Sequence, residues 1–496
     1  MVCKILAGVA PLQREEAARR RVGRRAALNL VALLALLPAT ARAADGLPRG
    51  VVVESVRVES APGQTYALYL PTAYTPQRKW PILYAFDPVA RGKLPVTLFR
   101  AAAERFGYVV VGSNDSRNGL GAAPLSEIIN ALWKDTHERL SIDDARVYAA
   151  GFSGGARVAN RFAAGCRGCV AGVVASGAGF PSDLTPSASL AYAFFGTVGV
   201  DDFNYREMRP LERTLDSLNV THRLATFDGR HQWCPEEVCA EGLEWMELLA
   251  MRRGRVPKDD ALIDAALARY TARAENLKRP EDAYERYAAL RAVAQTFEGL
   301  RDVARYGAEA TALKNTKEYQ AAVAAEDKQI EEEQRRAREL VVSGGGLLDD
   351  ATHDDTLARV RKLFAPLREQ AKAAEDGAVR RVARRTLAHV YAETLESAQF
   401  LYEPRKEFKF AAANLELAAE AYPAIAQTEV ELARALALDG RKDRALAALV
   451  RAADKGLRDA AAIEQDEAFA PLRSDAKFKK VVERVKATPE KGNDEE

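Results

Sequence analysis

Apolar and polar positions follow two different rhythms along the chain, and the change between them divides it. Between about residues 50 and 250, short runs rich in β-branched and aromatic residues recur: VVVESVRVES, TYALYLP, WPILYAF, GYVVVGS, ARVYAAG, GVVAS, YAFFG and HRLATF. The stretches between them include helical spacing, so the runs predict strands joined in part by crossover helices. Near-continuous apolar runs suit strands covered on both faces. The pattern therefore predicts an α/β domain with a mostly parallel sheet and helices on both sides. After about residue 255 the rhythm changes to apolar positions at helical spacing in Ala, Glu, Arg and Lys-rich stretches, including LIDAALARYTARAE, EDAYERYAALRAVAQTF and EYQAAVAAEDKQIEEEQRRARELVV. An all-α region is expected there.

Punctuation refines the division. SGGGLLDDATHDD, from Ser343 to Asp355, is the clearest internal break, and Pro423 and Gly440 mark shorter helical units. Around Gly440, Ala433, Leu436, Ala437, Ala445, Leu449, Ala452 and Ala453 are placed so that two helices pack closely, and this stretch resembles a tetratricopeptide-type helical hairpin. No full regular array is evident, and an irregular α-domain is the alternative. IEEEQRRARE reads as a charged helical face. The expected organisation is a leader over 1–43, an α/β domain over 44–252, a helical segment over 253–342, a linker over 343–357 and a repeat-like helical region over 358–490.

The length of 496 residues agrees with more than one domain. With 72 Lys and Arg against 70 Asp and Glu, the net charge of +2 gives no case for a nucleic-acid partner. At the amino terminus, arginines from Arg14 to Arg25 precede ALNLVALLALLPA and then TARAAD, the pattern of an export signal cut after Ala43. Its apolar run is short for a membrane span. The expected location is periplasmic or secreted, with no stable membrane span after cleavage. Export makes Cys166, Cys169, Cys234 and Cys239 candidates for two disulfides, in any of three pairings. Free buried thiols and a four-cysteine zinc site are the alternatives, the second disfavoured by the long spacing of its latter pair.

The chemistry concentrates in RVYAAGFSGGARVANRF. An apolar strand, GxSxG and then a helix beginning near Gly154 form the context of a nucleophile elbow, with Ser153 as nucleophile and the Gly154 N–H as an oxyanion donor. A plain strand-to-helix turn is the bland alternative. A serine needs a base and a group that orients it. His137, in LWKDTHERL, and His222, ahead of its strand, read as solvent-exposed, whereas His231 in TFDGRHQW follows the last predicted strand and can return over the serine. Asp201 and Asp202 in GVDDFN lie between serine and histidine, and either can orient the imidazole.

On GFSGG, GVDDFN and GRHQW, the segment from about 65 to 250 resembles the α/β-hydrolase superfamily, in particular secreted esterases related to polyhydroxyalkanoate depolymerases and feruloyl esterases. The resemblance implies Ser153 as nucleophile, Asp202 as acid, with Asp201 the alternative, and His231 as base. Members of this kind often carry HG or a glycine-rich segment after the strand WPILYAF, whereas this chain has Phe86-Asp87-Pro88. Pro88 has no N–H, so the second oxyanion donor falls to Phe86, with Asp87 as alternative. Asp87, Asn114 in GSNDSRNG and Trp233 are candidate substrate contacts; turn formation for Asn114 and local core for Trp233 are the competing readings. A Cys234–Cys239 bridge is a candidate pin for the His231 loop.

The expected activity is hydrolysis of a small or polymeric carboxylic ester through an acyl-enzyme, without metal or organic cofactor. A serine peptidase is the alternative chemistry. An inactive hydrolase scaffold, with the helical region recruiting a protein partner, is the alternative of a different kind.

Overall fold

The computed structural model describes residues 46–402 and 405–487. The leader over 1–43 with its cleavage point, and the last three residues of the region expected over 358–490, lie outside the described residues.

The eight apolar runs form eight strands of one sheet: β1 (Val52–Val58), β2 (Ala61–Tyr69), β3 (Trp80–Phe86), β4 (Val109–Ser113), β5 (Ile142–Phe152), β6 (Gly172–Ser176), β7 (Ala193–Gly199) and β8 (His222–Phe227). Their spatial order is β1-β2-β4-β3-β5-β6-β7-β8. β1 pairs antiparallel with β2, and β2 with β4; every pairing from β4 through β3 to β8 is parallel. Parallel neighbours need crossovers, which α1 (Lys93–Phe106), α2 (Ala122–Arg139), α3 (Gly154–Gly165) and α4 (Tyr205–Ser217) supply except between β6 and β7, which a helix-free stretch over 177–192 joins; α5 (Glu236–Arg252) follows β8.

Side chains of β3 show why both sheet faces had to be apolar. Ile82, Tyr84 and Phe86 pack with Leu132 of α2, Phe162 of α3 and Met208 of α4. Leu83 and Ala85 point the other way, into a second core with Phe99 of α1 and Trp245 of α5. The result is a three-layer α/β domain.

The all-α region comprises α6 (Asp260–Asn276), α7 (Ala283–Phe297), α8 (Ala304–Lys314), α9 (Lys317–Ser343), α10 (His353–Ala371), α11 (Ala378–Tyr402), α12 (Phe408–Ala421), α13 (Ala426–Leu438), α14 (Lys442–Asp454), α15 (Ala460–Glu464) and α16 (Ala476–Lys486). The expected hairpin is α13–α14: Gly440 turns at φ 79° and all seven small and apolar residues named around it are buried. The break at Ser343–Asp355 is a packed turn. Ser343 ends α9, a 3-10 turn spans Gly344–Leu348, and α10 starts at His353. Leu347 is 2% exposed and shares a core with Leu340 of α9, Phe364 of α10 and Leu417 of α12.

The two regions meet along β8 and α5, where Trp245 Nε1 donates to Thr296 Oγ1 of α7 at 3.0 Å, and along α4 and the loop before it. Arg209 of α4, 1% exposed, reaches Glu212 at 3.0 Å, Glu285 of α7 at 2.6 Å and Glu326 of α9 at 2.9 Å. Arg385 of α11 donates to the Val200 carbonyl at 3.0 Å and to Glu333 of α9 at 2.7 Å. A buried guanidinium needs such multiple acceptors.

Candidate active site

Ser153 stands between the last residue of β5 and the first of α3, with φ 52° and ψ −120°. Positive φ costs a non-glycine residue on the order of 1–3 kcal/mol and persists where surrounding packing enforces it. Here the packing is tight. A Cβ on Gly151 would stand 2.1 Å from the Gly155 carbonyl oxygen, and one on Gly155 would stand 1.9 Å from the Phe86 carbonyl oxygen. Both positions must be glycine for β5, α3 and the end of β3 to close on one another. The Ser153 N–H donates to the Ser176 carbonyl at 2.9 Å, which fixes the turn against β6.

Two further loops at the carboxyl ends of the parallel strands converge on the serine. His231 follows β8, and its Nε2 lies 2.9 Å from Ser153 Oγ; its Nδ1 lies 2.8 Å from Asp202 Oδ1, in the loop after β7. The ring sits between Phe152 and Phe203, with centroids at 4.6 and 4.2 Å. Asp202 is fully buried, and its Oδ1 also accepts the Asn204 N–H at 2.7 Å. The aspartate and histidine loops are tied directly: Val200 donates to the Phe227 carbonyl and Asp201 to the Gly229 carbonyl, each at 2.9 Å. An Nδ1–H donated to the carboxylate leaves the Nε2 lone pair facing the serine hydroxyl.

Asp201 points elsewhere. Its carboxylate takes a hydrogen bond from Arg384 of α11 at 2.7 Å. The adjacent aspartates thus serve different elements: Asp202 faces the histidine and Asp201 faces the helical region.

Gly154 opens α3, so its N–H has no acceptor within the helix and lies beside the serine. The backbone at Phe86–Asp87 backs onto the elbow, with Asp87 N 3.3 Å from where a Gly155 Cβ would be. Phe86 is the last residue of β3 and is in register with Gly151 of β5, while Asp87 begins the loop. The Asp87 carboxylate turns away from this surface. It binds Arg91 Nε and Nη2 at 3.0 Å, the Val89 N–H at 3.0 Å and Trp233 Nε1 at 2.8 Å. Burial pushes this carboxyl up, but those hydrogen bonds outweigh it and hold it below the ordinary carboxylate range.

The three residues expected to touch substrate do not line the cavity at the serine. Asp87 is fully buried, and Trp233, 6% exposed, is its indole partner and a strut against Phe99 and Phe152. Asn114 donates to the Glu54 carbonyl at 3.0 Å and to Thr65 Oγ1 at 3.1 Å, along the sheet edge. The two histidines expected at the surface are also corrected. His222 is 2% exposed, bound to the Val220 carbonyl and Arg291, because β8 starts beneath α7; His137 stacks on Trp133. Of the four cysteines, Cys166 and Cys169 form a disulfide. The second expected bond is not formed: Cys234 and Cys239 are buried free thiols whose sulfurs stand 3.0 Å apart at the start of α5, closer than an ordinary non-bonded sulfur contact. Among the described residues no group of three or more His, Cys, Asp or Glu is placed to hold a metal ion.

A cavity of about 760 Å³ opens over Ser153. Asn118, Arg157, Phe203 and Arg206 line it from the α/β domain; Gln334, Arg338 and Val341 of α9 and His389, Glu393 and Glu396 of α11 line it from the helical region. Sequence reading missed nearly all of these. Asn118 belongs to GSNDSRNG, the segment from which Asn114 was the expected contact, and its Oδ1 sits 1.8 Å from where a Gly154 Cβ would be. Arg338 and His389 carry no such signal, since their spacing is that of any amphipathic helix.

No family model and no curated protein matches the chain. Among solved structures it is similar to S-formylglutathione hydrolase from Staphylococcus aureus, at 15% identity over 40% of this chain and 98% of that one, with TM-score 0.32. It is also similar to an esterase from the archaeon Pyrobaculum calidifontis, at 14% identity over 41% and 87%, with TM-score 0.34. Est1E from Butyrivibrio proteoclasticus is similar at 12% identity over 40% and 99%, with TM-score 0.32. Apart from these likenesses, the chain consists of an α/β domain, with a serine, a histidine and a buried aspartate hydrogen-bonded in series at the carboxyl ends of its parallel strands, and a distinct all-α region.

Proposed function

We propose that the protein is a serine-dependent hydrolase of carboxylic esters. One observation carries the reading: the unbroken hydrogen-bond series Asp202–His231–Ser153, set on a strained strand-to-helix turn. His231 Nε2 takes the hydroxyl proton as Ser153 Oγ attacks the ester carbonyl, and Asp202 stabilises the imidazolium that results. The Gly154 N–H, with the Phe86 or Asp87 N–H, receives the charge on the carbonyl oxygen. His231 then protonates the leaving alcohol and activates the water that releases the acyl group.

The polar lining of the cavity supports a small hydrophilic ester over an extended apolar polyester such as a polyhydroxyalkanoate. In this reading the helical region walls the site, and recruitment of a separate protein partner is not needed to explain it. The leader-like start and the Cys166–Cys169 disulfide support an exported protein.

Turnover of aryl esters from acetyl to lauroyl, beside Ser153→Ala and His231→Ala, tests the reading. The expectation is a preference for short acyl groups and a loss of at least about a thousandfold in kcat in either variant. Undiminished turnover by Ser153→Ala would overturn it.

A further inference from the structure

The charges around the cavity point to a substrate more specific than a short ester. Arg157 is satisfied within the α/β domain: its Nη2 and Nη1 bind Glu207 at 2.7 and 3.0 Å, and Nη1 also donates to the Phe180 carbonyl at 2.6 Å. Arg206 is not. The half-buried guanidinium gives one hydrogen bond, from Nη2 to His389 Nδ1 at 3.0 Å, and among the described residues no carboxylate stands at ion-pair distance from it. The three acidic groups nearest in charge are each engaged elsewhere: Glu207 with Arg157, Glu333 with Arg385 at 2.6 Å, and Glu393 with His389 Nε2 at 3.0 Å.

His389 faces Arg206 with Nδ1 and Glu393 with Nε2, and an imidazole carries no negative charge with which to compensate the cation. Burial holds the Arg206 guanidinium below its ordinary range against the opposing pull of Glu393, Glu333 and Glu207, and the like charge of Arg338 on α9 adds a smaller push in the direction of burial. Arg338 is exposed and no ion pair is formed by it among the described residues. Two guanidinium groups lining one cavity, with the neighbouring carboxylates paired to other residues, make that cavity attractive to an anion. Glu396, exposed one turn beyond Glu393, is the one other acidic group of the lining.

We propose that the ester substrate carries a carboxylate, held between Arg206 of the α/β domain and Arg338 of the helical region while its ester carbonyl lies at Ser153. The inference rests on the ester-hydrolase reading and deepens it. It makes the helical region a source of specificity rather than a passive cover, because one half of the clamp comes from each region.

Two matched pairs test it in the full chain. 4-Nitrophenyl hemiglutarate against 4-nitrophenyl valerate places the carboxylate on the acyl side; 4-acetoxybenzoate against its methyl ester places it on the leaving group. The expected result is at least about a tenfold higher kcat/KM for the anion in one pair, the value of one charge-assisted contact. That ratio should collapse towards one in Arg206→Gln and in Arg338→Gln. The rate of covalent labelling by a fluorophosphonate reports whether Ser153 and His231 remain assembled in each variant, and Arg338 is exposed, so its replacement keeps the test valid should Arg206→Gln fail to fold. Turnover of the neutral esters with no anionic preference in either pair overturns the clamp alone. A preference that survives in labelled Arg338→Gln also overturns it. Absence of both turnover and labelling overturns the hydrolase reading and the clamp with it.

Discussion

Replacing each of the two adjacent aspartates by asparagine separates their roles sharply. In Asp202→Asn the fully buried carboxylate facing His231 Nδ1 becomes an amide, with no water to substitute for it. If the amide NH2 faces Nδ1, the ring must accept there and carry its proton on Nε2. A donor then points at Ser153 Oγ, and the base is lost. A wrong-tautomer lesion of this kind costs about 10⁴ in kcat, or about 5.4 kcal/mol of barrier at 1.36 kcal/mol per decade. In Asp201→Asn the lost partner is Arg384, whose side chain is 30% exposed and can turn to solvent. That change should cost about 1–3 kcal/mol in stability, and kcat should fall less than about tenfold. The assay is kcat on a short aryl ester together with urea unfolding of the same preparations. A thousandfold loss in Asp201→Asn with near-normal Asp202→Asn would refute the assignment of the acid.

Other perturbations read other parts of the argument. Gly155→Ala drives a methyl group into the Phe86 carbonyl, 1.9 Å from its ideal position, and should cost at least about a hundredfold in kcat/KM through a displacement near 1 Å; wild-type kinetics would disprove the close approach. Burial, with Arg291 second, pushes His222 down to about 4. The unfolded chain therefore takes up a proton near pH 6.5 that the folded chain refuses, so stability falls as pH drops from about 6.5 towards 4, by about 2 kcal/mol at pH 5. Urea unfolding at pH 7.5 and pH 5 should show that loss shrinking in His222→Gln; an unchanged pH slope would contradict it. Arg385→Met leaves Glu333 buried without its partner, for a predicted loss of about 3–5 kcal/mol, and adding Glu333→Leu should restore most of it. Thermal unfolding of the single and double variants checks this, and no rescue would argue against a buried pair.

The strands and the serine–histidine–aspartate series were legible because each left a local mark. Parallel strands covered on both faces must be continuous apolar runs, and GFSGG sits at a strand-to-helix change with glycines where close approach forbids a Cβ. His231 could be separated from His137 and His222 by its place after a strand, but the burial of His222 could not be read, since what covers it is α7, about 70 positions away in the chain. The same limit applied at the cavity. Asp87 and Trp233 lie next to catalytic candidates in sequence and bond one another beneath the site, whereas Arg338 and His389 face it from helices whose spacing announces only amphipathic packing. For Cys234 and Cys239, spacing correctly predicted that the two sulfurs meet.

Those unseen contacts change what the helical region does. α11 carries Arg384 and Arg385, which hold Asp201 and the Val200 carbonyl, and one and two turns further on it carries His389 and Glu393 at the cavity. The loop that carries Asp202 and the wall of the cavity over Ser153 are therefore set by the same helix. α9 repeats the arrangement, with Glu333 fixing Arg385 and Arg338 reaching the cavity. A cover resting on a finished site would affect entry alone. Helices that grip the Asp202 loop also act on the orientation of His231, so in the proposed hydrolase substrate recognition and the competence of the base are coupled through α11.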